Sequence, residues 1–255
     1  SEANSDSQKL PLAEQDDLNI AFEDISFEYQ YNQPVLNHLS LSIENNEKIA
    51  LVGISGSGKS TLTKLLVRFY DLEKNNGKIK LNNTDITFLD KVHLRELITY
   101  VPQEPHTFTG KVIDNLTMGA KTGTTFDDVL KSTEIAHIRT DIENMSQGFE
   151  TEISELGNLS GGQMQRLSLA RALLTDSKVI ILDESTSNLD VLTEKIVVDN
   201  LMNLTDKTII FVAHRLTIAE RVPRLVMLEH GQIVADGTHN DLLGSNDAYT
   251  NLVRK

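Results

Sequence analysis

The chain has 255 residues, 39% of them hydrophobic and 24% charged, enough for one large core or one core with a smaller attached subdomain. Its formal net charge of −13 opposes non-specific attraction to phosphate backbones, so nucleic acid is not an expected partner. It contains no cysteine, which excludes disulfides, thiolate metal sites and thiol nucleophiles, and its seven histidines lack the close pairing of zinc sites.

Residues 1–17 are polar and acidic, without the basic and apolar regions of a signal peptide and without an initiating Met; they read as a linker or the boundary of a longer chain. Residues 18–31 and 39–43 alternate apolar and polar side chains, as half-buried antiparallel strands do, with Asn32, Gln33 and Pro34 as the break. An apolar run over 48–54 enters a Gly/Ser-rich loop, and leucines at helical spacing follow over 61–70, giving strand, loop and helix. A strand over 78–81, a turn at Asn82-Asn83 and a strand over 98–102 form a second β region, expected to pack near the first.

The pattern over 126–147 is helical, with Asp127 and Asp128 in a first turn where the helix dipole favours negative charge. An amphipathic helix over 163–174 precedes a buried strand over 179–182, a helix over 193–204 and a strand over 208–213. Strands alternating with helices imply a parallel sheet covered on both faces. Segments 225–229 and 232–235 read as a hairpin around His230-Gly231. Uninterrupted apolar runs such as 179–182 fall far short of the roughly 18 to 20 residues that cross a bilayer.

Gly53-Ile54-Ser55-Gly56-Ser57-Gly58-Lys59-Ser60 fits the phosphate-loop pattern G-x-x-x-x-G-K-S, and Thr61 continues into the helix. Glycines let successive N–H groups turn inward to phosphate oxygens, and the following helix presents its positive end to the same charge. Lys59 is expected on the β- and γ-phosphates of ATP, and Ser60 on Mg²⁺. The strand 179–182 ends in Asp183 and Glu184, expected beside the phosphate-loop strand if the sheet is doubly wound. Asp183 would hold Mg²⁺ through water and Glu184 would polarise the attacking water as general base; a plain helix N-cap is the other reading of such a pair.

Leu159-Ser160-Gly161-Gly162-Gln163 is a second Gly-rich helix start that can hold an anion, or a helix simply capped by Ser160. One small nucleotide cannot be gripped by both loops if they lie on different subdomains; two-fold pairing of two copies removes the difficulty by facing each loop with its counterpart.

With that loop in place the sequence resembles the nucleotide-binding domain of ABC transporters, over nearly the whole chain from Leu18 onward. The resemblance implies an α/β fold: a P-loop NTPase core with a mixed, mainly parallel sheet, an N-terminal antiparallel β subdomain, and a small helical subdomain, about 104–170, carrying the signature loop. It implies that Tyr29, in Ser26-Phe27-Glu28-Tyr29, stacks on adenine, with Tyr31 as the nearby competitor and a core aromatic as the plainer reading. Gln103, in Val101-Pro102-Gln103-Glu104, resembles the glutamine that contacts Mg²⁺ or water and joins the subdomains, although an ordinary polar loop residue would look the same. Ser187-Asn188-Leu189-Asp190 is similar to the loop crossing the dimer interface, Asp190 being alternatively an N-cap, and His214 resembles the switch histidine at the γ-phosphate.

Thr151-Glu152-Ile153-Ser154-Glu155-Leu156-Gly157 resembles the exporter-specific segment that senses the membrane domain, with Ser154 and Leu156 where Gly and Arg are common. Asn46 stands where a Gly often precedes the Glu47-Lys48 pair, a change confined to a turn. Val191-Leu192-Thr193-Glu194-Lys195, Phe108-Thr109-Gly110 and residues 211–221 resemble ComA-like peptide exporters, which carry a leader peptidase and transmembrane helices before this domain. The implied protein is an ATPase that works as a head-to-tail homodimer with Mg²⁺ at the cytoplasmic face of a membrane, driving transmembrane domains of the same polypeptide. Its rivals are a soluble ABC-type mechanoenzyme acting on nucleic acid or ribosomes, disfavoured by the single cassette and acidic balance, and an ATP sensor with little turnover.

Overall fold

The computed structural model describes residues 8–11, 14–154 and 157–255; part of the expected linker, together with Glu155 and Leu156 of the expected export segment, lies outside the described residues. In chain order the elements are β1 (Ile20–Glu28), β2 (Pro34–Ile43), β3 (Lys48–Val52), α1 (Lys59–Leu66), β4 (Lys78–Leu81), β5 (Thr84–Asp85), α2 (Lys91–Leu97) and β6 (Ile98–Val101). They continue as β7 (Gly110–Lys111), α3 (Val112–Thr117), α4 (Phe126–Ile135), α5 (Arg139–Glu143), β8 (Glu152–Ile153), α6 (Gly161–Leu173), β9 (Val179–Asp183) and α7 (Val191–Met202). The last are β10 (Thr208–Val212), α8 (Leu216–Ala219), β11 (Arg224–Glu229), β12 (Gln232–Gly237), α9 (His239–Leu242) and α10 (Asp247–Val253). Among the described residues no helix is long and apolar enough to cross a membrane.

The chain forms two compact units. The first takes in the chain up to Tyr100, Ser177–Ile181 and Thr205–Lys255; the second takes in Val101–Asp176 and Leu182–Leu204. The second is thus wider than the helical subdomain expected at 104–170.

In the first unit β1 pairs antiparallel with β2 on one side and β4 on the other, giving the order β2-β1-β4-β5. Its buried side chains, Ile20, Phe22, Leu39, Leu41 and Ile43 among them, join one core with Ile49, Leu51, Leu62 and Leu65. β2 starts at Pro34, so the break between the strands ends one residue earlier than its composition suggests. A proline at the first strand position costs no ladder hydrogen bond. The pairing register shifts between Phe22 and Ile25, near Asp24 and His38, both in the left-handed region at φ 52 and φ 50.

The larger sheet has the order β12-β11-β3-β10-β9-β6. β3 runs parallel to both β10 and β11, while β12 closes the edge antiparallel to β11. Every residue of β3, β9 and β10 is buried, as expected for strands covered on both faces. Two expectations are corrected here. β9 is not beside β3, because β10 lies between them; and β6 joins this sheet, so that of the expected second β region only the strand β4 lies beside β1. Asn46 occupies a left-handed turn at φ 63, where asparagine is tolerated in place of glycine, and its N–H donates to Thr208 Oγ1 at 2.8 Å.

In the second unit α6 packs against α3 and α4, and α4 also meets α7. The single helix expected over 126–147 is two: α4 ends at Ile135, and His137, at φ 57, turns the chain before α5. The start of α4 is fixed by a capping box in which Thr125 and Asp128 satisfy each other's backbone N–H.

Candidate functional site

β3 ends at Val52 and α1 begins at Lys59, so the loop between them spans 53–58. Gly53, Gly56 and Gly58 have φ of 144, 79 and 106, conformations that L side chains rarely adopt. A Cβ on Gly53 would sit 2.3 Å from Leu228 O, and one on Gly58 would sit 2.7 Å from a methyl of Leu36. Gly58, at the N-cap of α1, contributes no side-chain cap, and a helix N-terminus carries a positive partial charge that favours an anion. Ser55 and Gly56 are exposed, Ser57 and Lys59 are buried, and Ser60 is half-buried. The Lys59 ammonium donates to Gly53 O at 2.6 Å, Ile54 O at 3.1 Å and Ser57 Oγ at 3.5 Å, drawing the loop around itself.

The β11–β12 turn supports this loop. Gly231 N–H donates to Ser57 O at 3.1 Å, and Asn37 N–H donates to Gly231 O at 3.0 Å. Gly231 has φ 74, and an added Cβ would lie 2.3 Å from Val35 O. Gly231→Ala is expected to lower stability by about 1–3 kcal/mol through that strain and contact, and to weaken nucleotide binding through Ser57. Urea unfolding and an ATP titration measure the two effects; an unchanged midpoint and affinity would remove the turn from the site.

Tyr29 is packed edge-on between Phe27 and Tyr70, with ring centroids 5.0 and 4.9 Å away, and its hydroxyl hydrogen-bonds Thr61 Oγ1 at 2.8 Å. It remains 47% exposed and tied to α1, whereas Tyr31 is 86% exposed in the turn before β2. His214 is exposed and follows Ala213, whose N–H donates to Leu51 O at 2.9 Å. Because Val212 is paired with Leu51, β10 delivers His214 at the end of the sheet where β3 enters the phosphate loop.

The remaining candidates belong to the second unit. Asp183, the last residue of β9, is buried, and Glu184 follows with φ 52. The next residues are pinned one after another. Ser185 Oγ donates to Val101 O at 2.7 Å, Thr186 Oγ1 to the buried Glu194 carboxylate at 2.8 Å, and Leu189 N–H to Thr186 O at 3.0 Å. Asp190 caps α7, accepting from the Thr193 N–H and hydroxyl at 2.9 and 2.7 Å; these bonds hold its carboxyl below the usual carboxylate range.

Ser160 caps α6 in a capping box with Gln163, at 3.1 Å from the Gln163 N–H and with Gln163 Oε1 2.9 Å from the Ser160 N–H. Gln163 Nε2 also donates to Asp141, which pairs with Arg166 at 2.9 Å. Gly161 and Gly162 admit a close neighbour: a Cβ on Gly161 would lie 3.0 Å from Asn188 Nδ2, and one on Gly162 would lie 3.2 Å from Asn188 O. The capping readings of Ser160 and Asp190 are therefore realised in the fold. Exposed Gln103 reaches Ser187 Oγ at 3.4 Å.

The first unit therefore holds Tyr29, residues 53–61 and His214. The second holds Gln103, Ser160 to Gln163, Asp183, Glu184 and Asp190. Gly231, Glu194 and Gln165 are supporting residues that the motif reading passed over. Of these, Gln165 carried a legible signal: it lies on the stripe 165, 168, 169, 172 of α6, all buried, where an amide needs partners. The Ser60 hydroxyl, Gln103 amide and Asp183 carboxylate are hard oxygen donors of the kind Mg²⁺ takes, and so fit that ion.

A family model described as ABC transporter matches residues 36–187. The chain is 56% identical to the mesentericin-Y105 transport/processing ATP-binding protein MesD of Leuconostoc mesenteroides, over 92% of this chain and 32% of that one. It is 50% identical to the transport/processing ATP-binding protein ComA of Streptococcus pneumoniae, over 92% of this chain and 32% of that one. It is 47% identical to the pediocin PA-1 transport/processing ATP-binding protein PedD of Pediococcus acidilactici, over 98% and 34%. The chain spans about a third of the length of these relatives. The solved structure of a bacterial Atm1-family ABC exporter with ATP bound is similar at a TM-score of 0.89 and 29% identity, covering 100% of this chain and 44% of that one.

Proposed function

The chain belongs to the ABC transporter family, and we propose that it is the ATP-binding and ATP-hydrolysing domain of a peptide exporter, dimerising head to tail on ATP. The observation that carries this reading is the phosphate loop: three glycines at positive φ between a fully buried strand and a helix without a side-chain cap, with the Lys59 ammonium inside the loop. Transport/processing relatives of bacteriocin type support a peptide as cargo. The transmembrane domains of the same polypeptide would form the path, placing this domain at the cytoplasmic face of the membrane.

Phosphoryl transfer asks a protein mainly for positioning and charge stabilisation. In this reading Tyr29 takes adenine, residues 53–61 take the phosphates, and Glu184 accepts the proton of the attacking water. His214 and Gln103 contact the γ-phosphate and the water. Ser160 to Gln163 and Asp190 of the second copy complete the site. Ser60, Gln103 and Asp183 would hold Mg²⁺, which when bound neutralises phosphate charge.

The test is phosphate release from Mg-ATP by the parent chain and by Ser160→Arg, alone and mixed with Glu184→Gln. Sharing between copies predicts that Ser160→Arg alone loses most activity and that mixing restores at most one intact site per pair. Full activity of Ser160→Arg alone would rule out the shared site, and an inert parent chain would rule out the ATPase.

A further inference from the structure

Gln165 is almost completely buried, at 1% exposure, one turn into α6 from the Ser160 cap. A buried amide must place its donors and its acceptor or lose the free energy of their hydration. Gln165 places them on two other segments. Its Nε2 donates to Gln103 O at 2.9 Å and to Ser187 Oγ at 3.1 Å, and its Oε1 accepts from the Asn188 N–H at 2.9 Å. One side chain therefore ties the helix that starts at Ser160 to the backbone of the Gln103 loop and to the segment ending at Asp190.

The segment is also fastened elsewhere, and Gln165 meets it between those points. Ser185 is fastened to Val101, Thr186 to Glu194, and Asp190 to Thr193, so the backbone is anchored before residue 187 and after residue 189. Gly161 and Gly162 lie so close to Asn188 that a Cβ on either would press on it, at 3.0 Å from Nδ2 and 3.2 Å from O respectively. A shift of Gln103 relative to α6 must therefore be shared with Asn188 or break a buried hydrogen bond.

We infer that Gln165 is a positioning residue, holding the Gln103 loop and the 187–190 segment in one frame with the Ser160 to Gln163 loop so that the three move as a unit. The inference rests on the roles proposed for those loops, but its structural half can be tested without turnover.

The test uses Gln165→Met, which keeps the bulk and loses all three bonds, and Gln165→Glu, which when ionised keeps the acceptor for Asn188 and loses both donors. Two quantities are read in each: residue-resolved hydrogen exchange of the Asn188 amide without nucleotide, and ATP turnover resolved into kcat and KM. Gln165→Met is expected to speed Asn188 exchange about tenfold or more while amides of α4 remain as protected as in the parent, and to lower kcat about tenfold with KM nearly constant. Gln165→Glu is expected to leave Asn188 protected and still lose kcat.

Unchanged Asn188 exchange in Gln165→Met overturns the inference. So does a loss of α4 protection equal to that of Asn188, which would mean plain destabilisation, or a loss confined to KM. If the parent chain hydrolyses no ATP, the proposed function fails, and the exchange result still decides whether Gln165 holds the segment.

Discussion

Glu184→Gln is expected to bind ATP as the parent does, to lower phosphate release by about 10²- to 10⁴-fold, and to accumulate a dimer in Mg-ATP that vanishes without nucleotide. The range is that of a general base removed from a proton transfer. Gln matches Glu in shape, so the left-handed backbone of residue 184, at φ 52, makes the same demand of both. The pinned residues that follow, 185 to 190, keep their partners. What the substitution removes from the proposed reaction is the proton acceptor. Without hydrolysis the γ-phosphate continues to favour the closed state, which is what a ligand with differential contacts does to an equilibrium. Size analysis with and without Mg-ATP, beside a phosphate-release assay, measures both halves of the expectation. Normal release would remove Glu184 as the base, and a monomer at saturating Mg-ATP would remove the nucleotide-held pair.

Lys59→Ala is expected to cost about 10- to 100-fold in ATP affinity, the scale of one or two charge-assisted hydrogen bonds to phosphate. The same change deprives Gly53 O and Ile54 O of a buried donor, so the loop itself loosens. Lys59→Arg separates the two effects. A guanidinium keeps the charge but, being larger and planar, does not reproduce the contacts of an ammonium with Gly53 O, Ile54 O and Ser57 Oγ. Affinity in the Arg variant should therefore fall between the parent and Ala. A fluorescence titration with an ATP analogue reads all three, and unchanged binding by Lys59→Ala would rule out the assignment of the loop.

Why these residues were legible in the sequence, and others were not, has a physical basis. The phosphate loop declares itself because its glycines, its lysine and its position between an apolar run and leucines at helical spacing are each required by one geometry. The order of the strands does not. β3, β9 and β10 are buried on both faces and read alike, so nothing in their composition says that β10 separates the other two. Periodicity places helix starts late for a related reason: it waits for the first apolar side chain, whereas Gly58, Ser160 and Asp190 start α1, α6 and α7 by their backbone and capping geometry. The break between α4 and α5 rests on the backbone of His137, which leaves the helical pattern of its neighbours intact. Gln165 is the reverse case. It is flanked by Gln163 and Arg166, so its burial is visible only when the stripe is followed to residue 172.

Val35 and Leu36 at the start of β2 are met from two directions: a Cβ on Gly58 would contact both, and a Cβ on Gly231 would run into the same two residues. The strand therefore has no slack beyond Pro34. An insertion or deletion between β1 and β2 has to be absorbed within the turn before that proline, upstream of the residues that brace the loop. Tyr31 rides on that turn and Tyr29 borders it, so loop length and ring placement there can vary while residues 53–58 stay fixed in register.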